Sequence, residues 1–155
     1  MKNLIEPKLK LEQFLPYRLS VLSNRISREI ANDYEKAFSL TLPEWRVMAV
    51  LGENPNLSAS EVSNRTAMDK VAVSRAVKKL IEGERLIRKF APSDKRRSII
   101  TLSKKGRDVY EKVVPVAKKY ENTILSRLSL EENKQLDYLI EKLENIRLQL
   151  HELNN

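Results

Sequence analysis

The chain has 155 residues, 32% of them charged, with 29 Lys and Arg against 21 Asp and Glu, a single histidine, three glycines and no cysteine. This composition excludes disulfides, thiolate metal sites and cysteine redox chemistry, and three scattered glycines leave no phosphate-cradling loop. A chain of this length can bury a sizeable core, and its longest uncharged stretches fall far short of a membrane span, so a soluble, cytoplasmic, mainly helical protein with no membrane partner and no cofactor is expected.

Residues 1–11 are short, basic and broken by Pro7, an arm suited to packing on a partner subunit. Leu15, Leu19, Leu22, Ile26 and Ile30 then recur at three- and four-residue steps and predict a long helix from Phe14 to Phe38. Thr41-Leu-Pro-Glu44 has capping-box spacing with proline early, ahead of a helix over Glu44–Gly52 that packs Trp45, Met48 and Leu51 on one side. After the loop Glu53–Asn56, Ser58-Ala-Ser-Glu61 is a second capping box, opening a short helix with Val62 on its apolar side. The segment Asp69–Leu80 follows. At helical spacing Val73, Ala76, Val77 and Leu80 form an inward stripe, while Val71, Ser74, Arg75 and Lys78 face outward. Two helices joined by a tight turn make a helix-turn-helix.

Arg85–Phe90 and Arg97–Leu102 are β-prone runs flanking the turn segment Ala91–Arg96, so a hairpin is expected with Lys95, Arg96 and Arg97 near its tip. Ser103-Lys-Lys-Gly106 starts a second long helix, with a stripe of Val109, Val113, Ala117, Tyr120, Ile124 and Leu128 and a bend at Pro115. Ser129-Leu-Glu-Glu132 is a third capping box. The last helix carries Leu136, Leu139, Leu143, Ile146, Leu150 and Leu153 at steps of three and four, a heptad stripe that reads as a subunit interface rather than as part of the chain's own core. The fold expected is mainly α: a winged helix-turn-helix over 41–103, with long N- and C-terminal helices (1–40 and 104–155) forming a dimerisation region, all in one compact chain.

Charge separates function classes. Between Arg65 and Arg107 there are 14 Lys and Arg against 4 Asp and Glu, a net +10, whereas the remainder has 15 against 17, a net −2. The basicity is concentrated on the helix-turn-helix and hairpin, the electrostatic footprint of a nucleic-acid binder. A solvated basic face explains the helix alone but not the adjoining hairpin. Enzymatic chemistry has little to use, since His151 lies near the end and Glu131-Glu132 are neighbours where a helix dipole favours acids. A coiled-coil scaffold explains the terminal heptads but not the wing. A sequence-independent architectural DNA-binding protein shares the basic head and is the alternative to a sequence-specific regulator.

The candidate double-stranded DNA contacts are Ser58 and Arg65 around the first helix, Lys70, Val71, Ser74, Arg75 and Lys78 on the second, and Arg88, Asp94, Lys95, Arg96 and Arg97 on the wing. Arginine can fork onto guanine, serine can hydrogen-bond a base edge, and valine can touch a thymine methyl.

Leu42-Pro-Glu-Trp-Arg46, Val73-Ser-Arg75 with Leu80, Asp94-Lys-Arg96 and Thr101-Leu-Ser-Lys-Lys-Gly106 resemble, in order and spacing, the MarR-type transcriptional regulators, over about Phe14 to Leu150. The resemblance implies a homodimer with interlocked terminal helices and two winged heads on a pseudo-palindromic operator. It also implies Ser74 and Arg75 in the major groove, Arg96 in the minor groove and Asp94 holding the wing turn. One departure stands out: Glu84 occupies the place where the family has glycine before the first wing strand, and glycine comes one earlier, at Gly83. A glycine there supplies a positive φ, so this bears on the end of the recognition helix and the angle of the wing. In relatives a small anion or phenolic compound binds where the first, second and post-wing helices meet. The residues here that would line such a site are Tyr17, Arg18, Ser23, Trp45 and Arg46, with Arg46 suited to the carboxylate of a small aromatic acid or a related thioester effector. Core packing for Trp45 and an ion pair for Arg46 are the competing readings.

Overall fold

A computed structural model describes residues 9–91 and 94–152, with side chains placed over 9–90 and 98–146. The basic arm and Leu153 therefore lie wholly or mostly outside the described residues. A 3-10 turn at Leu11–Gln13 leads into α1 (Leu15–Phe38), which has Pro16 in its first turn, where the missing N–H costs no helical bond. The helix stops at Ser39, whose φ of 49° is left-handed and whose N–H bonds to the Glu35 carbonyl at 2.9 Å.

Helix α2 (Leu42–Glu53) begins two residues before the expected Glu44. The capping box explains this: the Thr41 N–H donates to the Glu44 carboxylate at 3.0 Å, which makes Thr41 the cap and Leu42 the first helical residue. Helix α3 (Ala59–Thr66) opens on Ser58 in the same way, and α4 (Lys70–Glu82) opens on Asp69. The hairpin is β1 (Leu86–Ala91) and β2 (Asp94–Leu102), antiparallel, with Leu86 opposite Leu102 and Arg88 opposite Ile100. The expected turn over Ala91–Arg96 is thus too long. Strand β2 starts at Asp94, which faces Ala91 across an irregularity in the ladder. A run of charges hid those strand residues from an apolar-pattern reading. At the base of the hairpin the Ile100 N–H donates to the Leu57 carbonyl at 2.8 Å, an isolated antiparallel bridge to the residue before the α3 cap.

One core holds these pieces together. Val47, Met48 and Leu51 of α2 meet Val73, Ala76, Val77 and Leu80 of α4, with Val62, Leu86, Ile100 and Val113 closing the sides. Tyr34 and Leu40 seal the edge nearest α1. Each large aliphatic side chain buried there contributes about 1.5–3 kcal/mol relative to exposure, which fixes α4 by the stripe that its sequence shows.

Helix α5 (Lys104–Leu125) runs through Pro115, which has no N–H to offer the carbonyl one turn back. Its stripe ends sooner than expected: Leu128 lies beyond the helix, where Arg127 and Leu128 donate to Ile124 and Leu125 at 3.0 Å in tight three-residue turns. The chain divides into two compact units, Met1–Val116 and Ala117–Asn155. In the second, α6 (Leu130–Glu152) is capped by Ser129 and Glu132, whose backbone N–H groups donate to each other's side chains at 2.7 and 3.2 Å. Hydrogen bonds donated by the Ser129 backbone and side chain hold the Glu132 carboxyl below its usual range. Among the described residues no helix is long and apolar enough to cross a membrane, and no group of three or more potential ligands could hold a metal ion.

Candidate nucleic-acid interface

The head is built around the turn between α3 and α4. Ser58 caps α3 with its hydroxyl, which accepts the Glu61 N–H at 3.2 Å, while the Ser58 N–H donates to the Glu61 carboxylate at 2.8 Å. At the far end the Thr66 hydroxyl donates to the Val62 carbonyl at 2.8 Å, and Ala67 reverses the chain with a φ of 52°. The Ser63 hydroxyl, nearly buried, donates to the Met68 carbonyl at 2.6 Å and locks the turn against α3. Asp69 then accepts the Ala72 N–H at 2.8 Å and starts α4. Three side-chain bonds thereby fix the orientation of α4 from its N-terminal end.

With Val73, Ala76, Val77 and Leu80 all buried, α4 turns Lys70, Val71, Ser74, Arg75 and Lys78 to the surface. Val71 is 59% exposed, a large apolar side chain in the middle of a basic face. Arg65 is exposed near the end of α3, and Ser58 is half-buried at its start. Arg88 on β1 reaches toward α4 and lines a cleft of about 390 Å³ with Ser74, Lys78, Ile81 and Glu82. On the other flank of α4, Arg75 and Lys79 border a cleft of about 420 Å³ whose floor includes Pro43, Ala72 and Ala76. Lys78 is partly engaged by Glu82 at 3.9 Å, an exposed pair easily exchanged for a phosphate. Asp94, Lys95, Arg96 and Arg97 fall on β2, and their side chains are outside the described set.

The base of the wing rests on Glu84, Ser103 and Gly106. Glu84 has a φ of 60°, while Gly83 has an ordinary φ of −78°. The left-handed residue therefore sits where the family resemblance places it, but on a glutamate. The Ser103 hydroxyl donates to the Glu84 carbonyl at 2.6 Å and accepts the Gly106 N–H at 2.9 Å, which ties the start of α5 to the start of β1. An ideal Cβ on Gly106 would lie 2.0 Å from the Arg85 carbonyl oxygen, so only glycine permits that approach. The signal was present as Ser103-Lys-Lys-Gly106, although its spacing does not reveal the contact.

The five residues considered for an effector do not form one cluster. Tyr17, Arg18 and Ser23 lie exposed on the N-terminal half of α1. The Trp45 ring is half-buried between Tyr34 and Tyr110, with centroids 5.9 and 6.0 Å away, and packs against the core. Arg46 donates to the Ser27 hydroxyl at 3.3 Å, joining α2 to α1. Burial pushes the Tyr34 hydroxyl up to about 12, against a smaller opposing pull from the Arg46 charge.

Known proteins share this arrangement. A profile described as the MarR family matches residues 38–97, from the end of α1 to the wing. The HTH-type transcriptional regulator BilQ of Clostridium symbiosum is 33% identical over 133 residues, covering 86% of this chain and 92% of that protein. The HTH-type transcriptional regulator TcaR of Staphylococcus aureus is 30% identical over 148 residues, covering 94% and 87%. A MarR/EmrR family regulator from Acinetobacter sp. ADP1 superposes with a TM-score of 0.82 at 29% identity, covering 91% of this chain and 99% of the other. With α4 seated by a buried stripe, a two-strand wing beside it and relatives matched over nearly their whole length, the chain belongs to the MarR family of DNA-binding transcriptional regulators.

Proposed function

We propose that the chain acts as a homodimer that represses transcription by setting two heads on successive half-sites of a pseudo-palindromic operator. The observation that carries the dimer is the surface of α6. Leu136, Leu139, Leu143 and Ile146 are 39–53% exposed along one seam, and Leu15, Leu19 and Leu22 of α1 are similarly uncovered. A second copy covering these leucines would bury apolar surface at about 25 cal/mol per Å²; Leu150 and Leu153, which continue the three- and four-residue steps in the sequence, lie outside the described side chains. On this reading 1–40 and 104–155 frame the dimer and 41–103 read DNA.

Ser74 and Arg75 are assigned the base edges, with Val71 against a thymine methyl. Ser58, Arg65, Lys70, Lys78 and Arg88 are assigned phosphates, and the Lys95–Arg97 run the minor groove, with Asp94 bracing its turn. Affinity then comes largely from counterion release and specificity from the few base contacts. A small aromatic carboxylate or thioester is proposed as effector, with Arg46 as the anion partner and Trp45 beside it; Tyr17, Arg18 and Ser23, which stand apart on α1, are left out of this site. The support is the placement of Arg46 at the contact between α1 and α2, where an anion could alter how the two helices meet. Such a ligand shifts the equilibrium only by its preference for a dimer whose heads misfit the operator.

The test is selection of bound duplexes from a random library, with sedimentation of the free and bound protein. A recovered palindrome with half-sites about one helical turn, roughly 34 Å, apart and a dimer in solution is expected. A monomer that prefers no sequence over bulk DNA at fixed salt refutes it in favour of an architectural role. Calorimetry with aromatic acids and their thioesters tests the effector separately: no heat and no release from DNA removes it.

A further inference from the structure

We infer that Arg85 is a positioning residue that sets the reach between the two heads of the dimer, by tethering the end of α1 to the hub from which α4 and the wing diverge. The inference rests on the dimer reading above. Its basis is the set of elements that meet at this one residue.

The last carbonyls of a helix have no partner within it and carry the negative end of its dipole. At the end of α1 the Phe38 carbonyl, and just past it that of the cap residue Ser39, accept hydrogen bonds from the Arg85 guanidinium at 2.5 and 3.4 Å. The planar fork suits two neighbouring carbonyls, and its charge complements the helix end. Sequence separations of 46 and 47 residues make this a tertiary tie. It lies just before the short connection to α2, at Ser39, where the backbone is left-handed.

The main chain of Arg85 is held as firmly. Its N–H donates to the Leu80 carbonyl at 2.8 Å, closing α4, and its carbonyl accepts from Ser103 at 3.0 Å, opening α5. Gly106 presses against that same carbonyl, and Leu86 next in sequence begins β1. A shift of the α1 end is therefore delivered through one side chain to the last turn of α4 and the root of the wing. Without the tether α1 keeps its covalent link, the Arg46–Ser27 bond and the packing of Tyr34 and Leu40. The head stays folded but is freer to swing. A rigid frame loses affinity steeply when half-sites are moved apart, and a loosened frame loses less while binding its best operator more weakly.

The experiment measures binding of the full-length protein to its selected operator, to versions with one or two base pairs added or removed at the centre, and to a single half-site. Each added pair moves the half-sites by about 3.4 Å and about a tenth of a turn. Wild type is expected to lose about tenfold or more per base pair. Arg85→Met, which keeps the stem and loses the fork, is expected to lose about threefold or less. Its affinity for the best operator should fall several-fold while half-site binding stays within about twofold. Arg85→Lys, with a single point of attachment, should lie between. A steep profile in wild type that Arg85→Met leaves unchanged overturns the inference. If Arg85→Met gives no cooperative melt, Arg85→Lys decides, and a wild-type profile in it likewise overturns the inference. A wild type that sediments as a monomer or ignores spacing refutes the dimer reading and takes the tether with it, a result distinct from either failure of the variants.

Discussion

Glutamate at position 84 is in the left-handed region with a φ of 60°, where an L side chain crowds its own backbone at a cost of about 1–2 kcal/mol. Comparing Glu84→Gly with Glu84→Ala isolates that cost, since both lose the carboxylate and its exposed pair with Lys105 at 3.1 Å. Such a surface pair contributes about 0–1 kcal/mol and cancels between the variants. Glycine relieves the crowding but gains about 0.4–1 kcal/mol of conformational freedom in the unfolded chain. The net advantage of glycine over alanine is therefore about 1 kcal/mol. For a chain of 155 residues this is about 2–4 °C in melting temperature. Urea and thermal melts by circular dichroism, at one protein concentration so that association does not intrude, read the difference. Equal midpoints, or alanine above glycine, would show that the backbone there is not strained and that the wing root rests on something else.

Three further expectations come from the same structure. Gly106→Ala sets a methyl against the Arg85 backbone, which cannot swing aside, so a loss of about 1–3 kcal/mol is expected in denaturant melts, and a wild-type midpoint refutes the contact. Tyr34 is buried with no hydrogen-bond partner for its hydroxyl among the described residues, so Tyr34→Phe should be at least as stable as wild type at pH 7. Unfolded Tyr34 ionises near 10 and the folded residue near 12, so the native state keeps a proton that the unfolded state releases. Wild-type stability should accordingly fall relative to the phenylalanine variant between those pH values, by about 2–3 kcal/mol, and a pH-independent difference refutes the burial argument. Arg75→Ala should cost about 1–3 kcal/mol of operator binding and relax one base position, whereas Lys78→Ala should weaken all sequences alike and lower the salt slope by about one. Unchanged operator preference in Arg75→Ala by gel-shift competition would show that α4 is read from another face.

What could be read from the sequence follows from the range of the forces involved. The capping boxes at Thr41, Ser58 and Ser129 are four-residue signals, and all three open helices. The α4 stripe was equally plain, since one buried face at helical period admits few other readings. Most joints leave no such mark. Ser39, Asn56 and Ala67 have positive φ, yet none is glycine, so the usual marker of a left-handed turn is missing from each, and at Glu84 only the family resemblance points to one. Charge hid the start of β2 at Asp94. Arg85 reads as one more cation of the basic segment, because its partners at the end of α1 lie 46 and 47 residues away. The aromatic packing of Trp45 with Tyr34 and Tyr110 likewise joins three helices and leaves no local trace.

The small bridge between Leu57 and Ile100 has a mechanical consequence. It ties the hairpin root to the residue preceding the Ser58 cap, so a displacement at that root is passed to the start of α3. If the hairpin engages a duplex as proposed, a pull on it would tilt the start of α3 as well, so that wing and helix would answer to the width of a groove together.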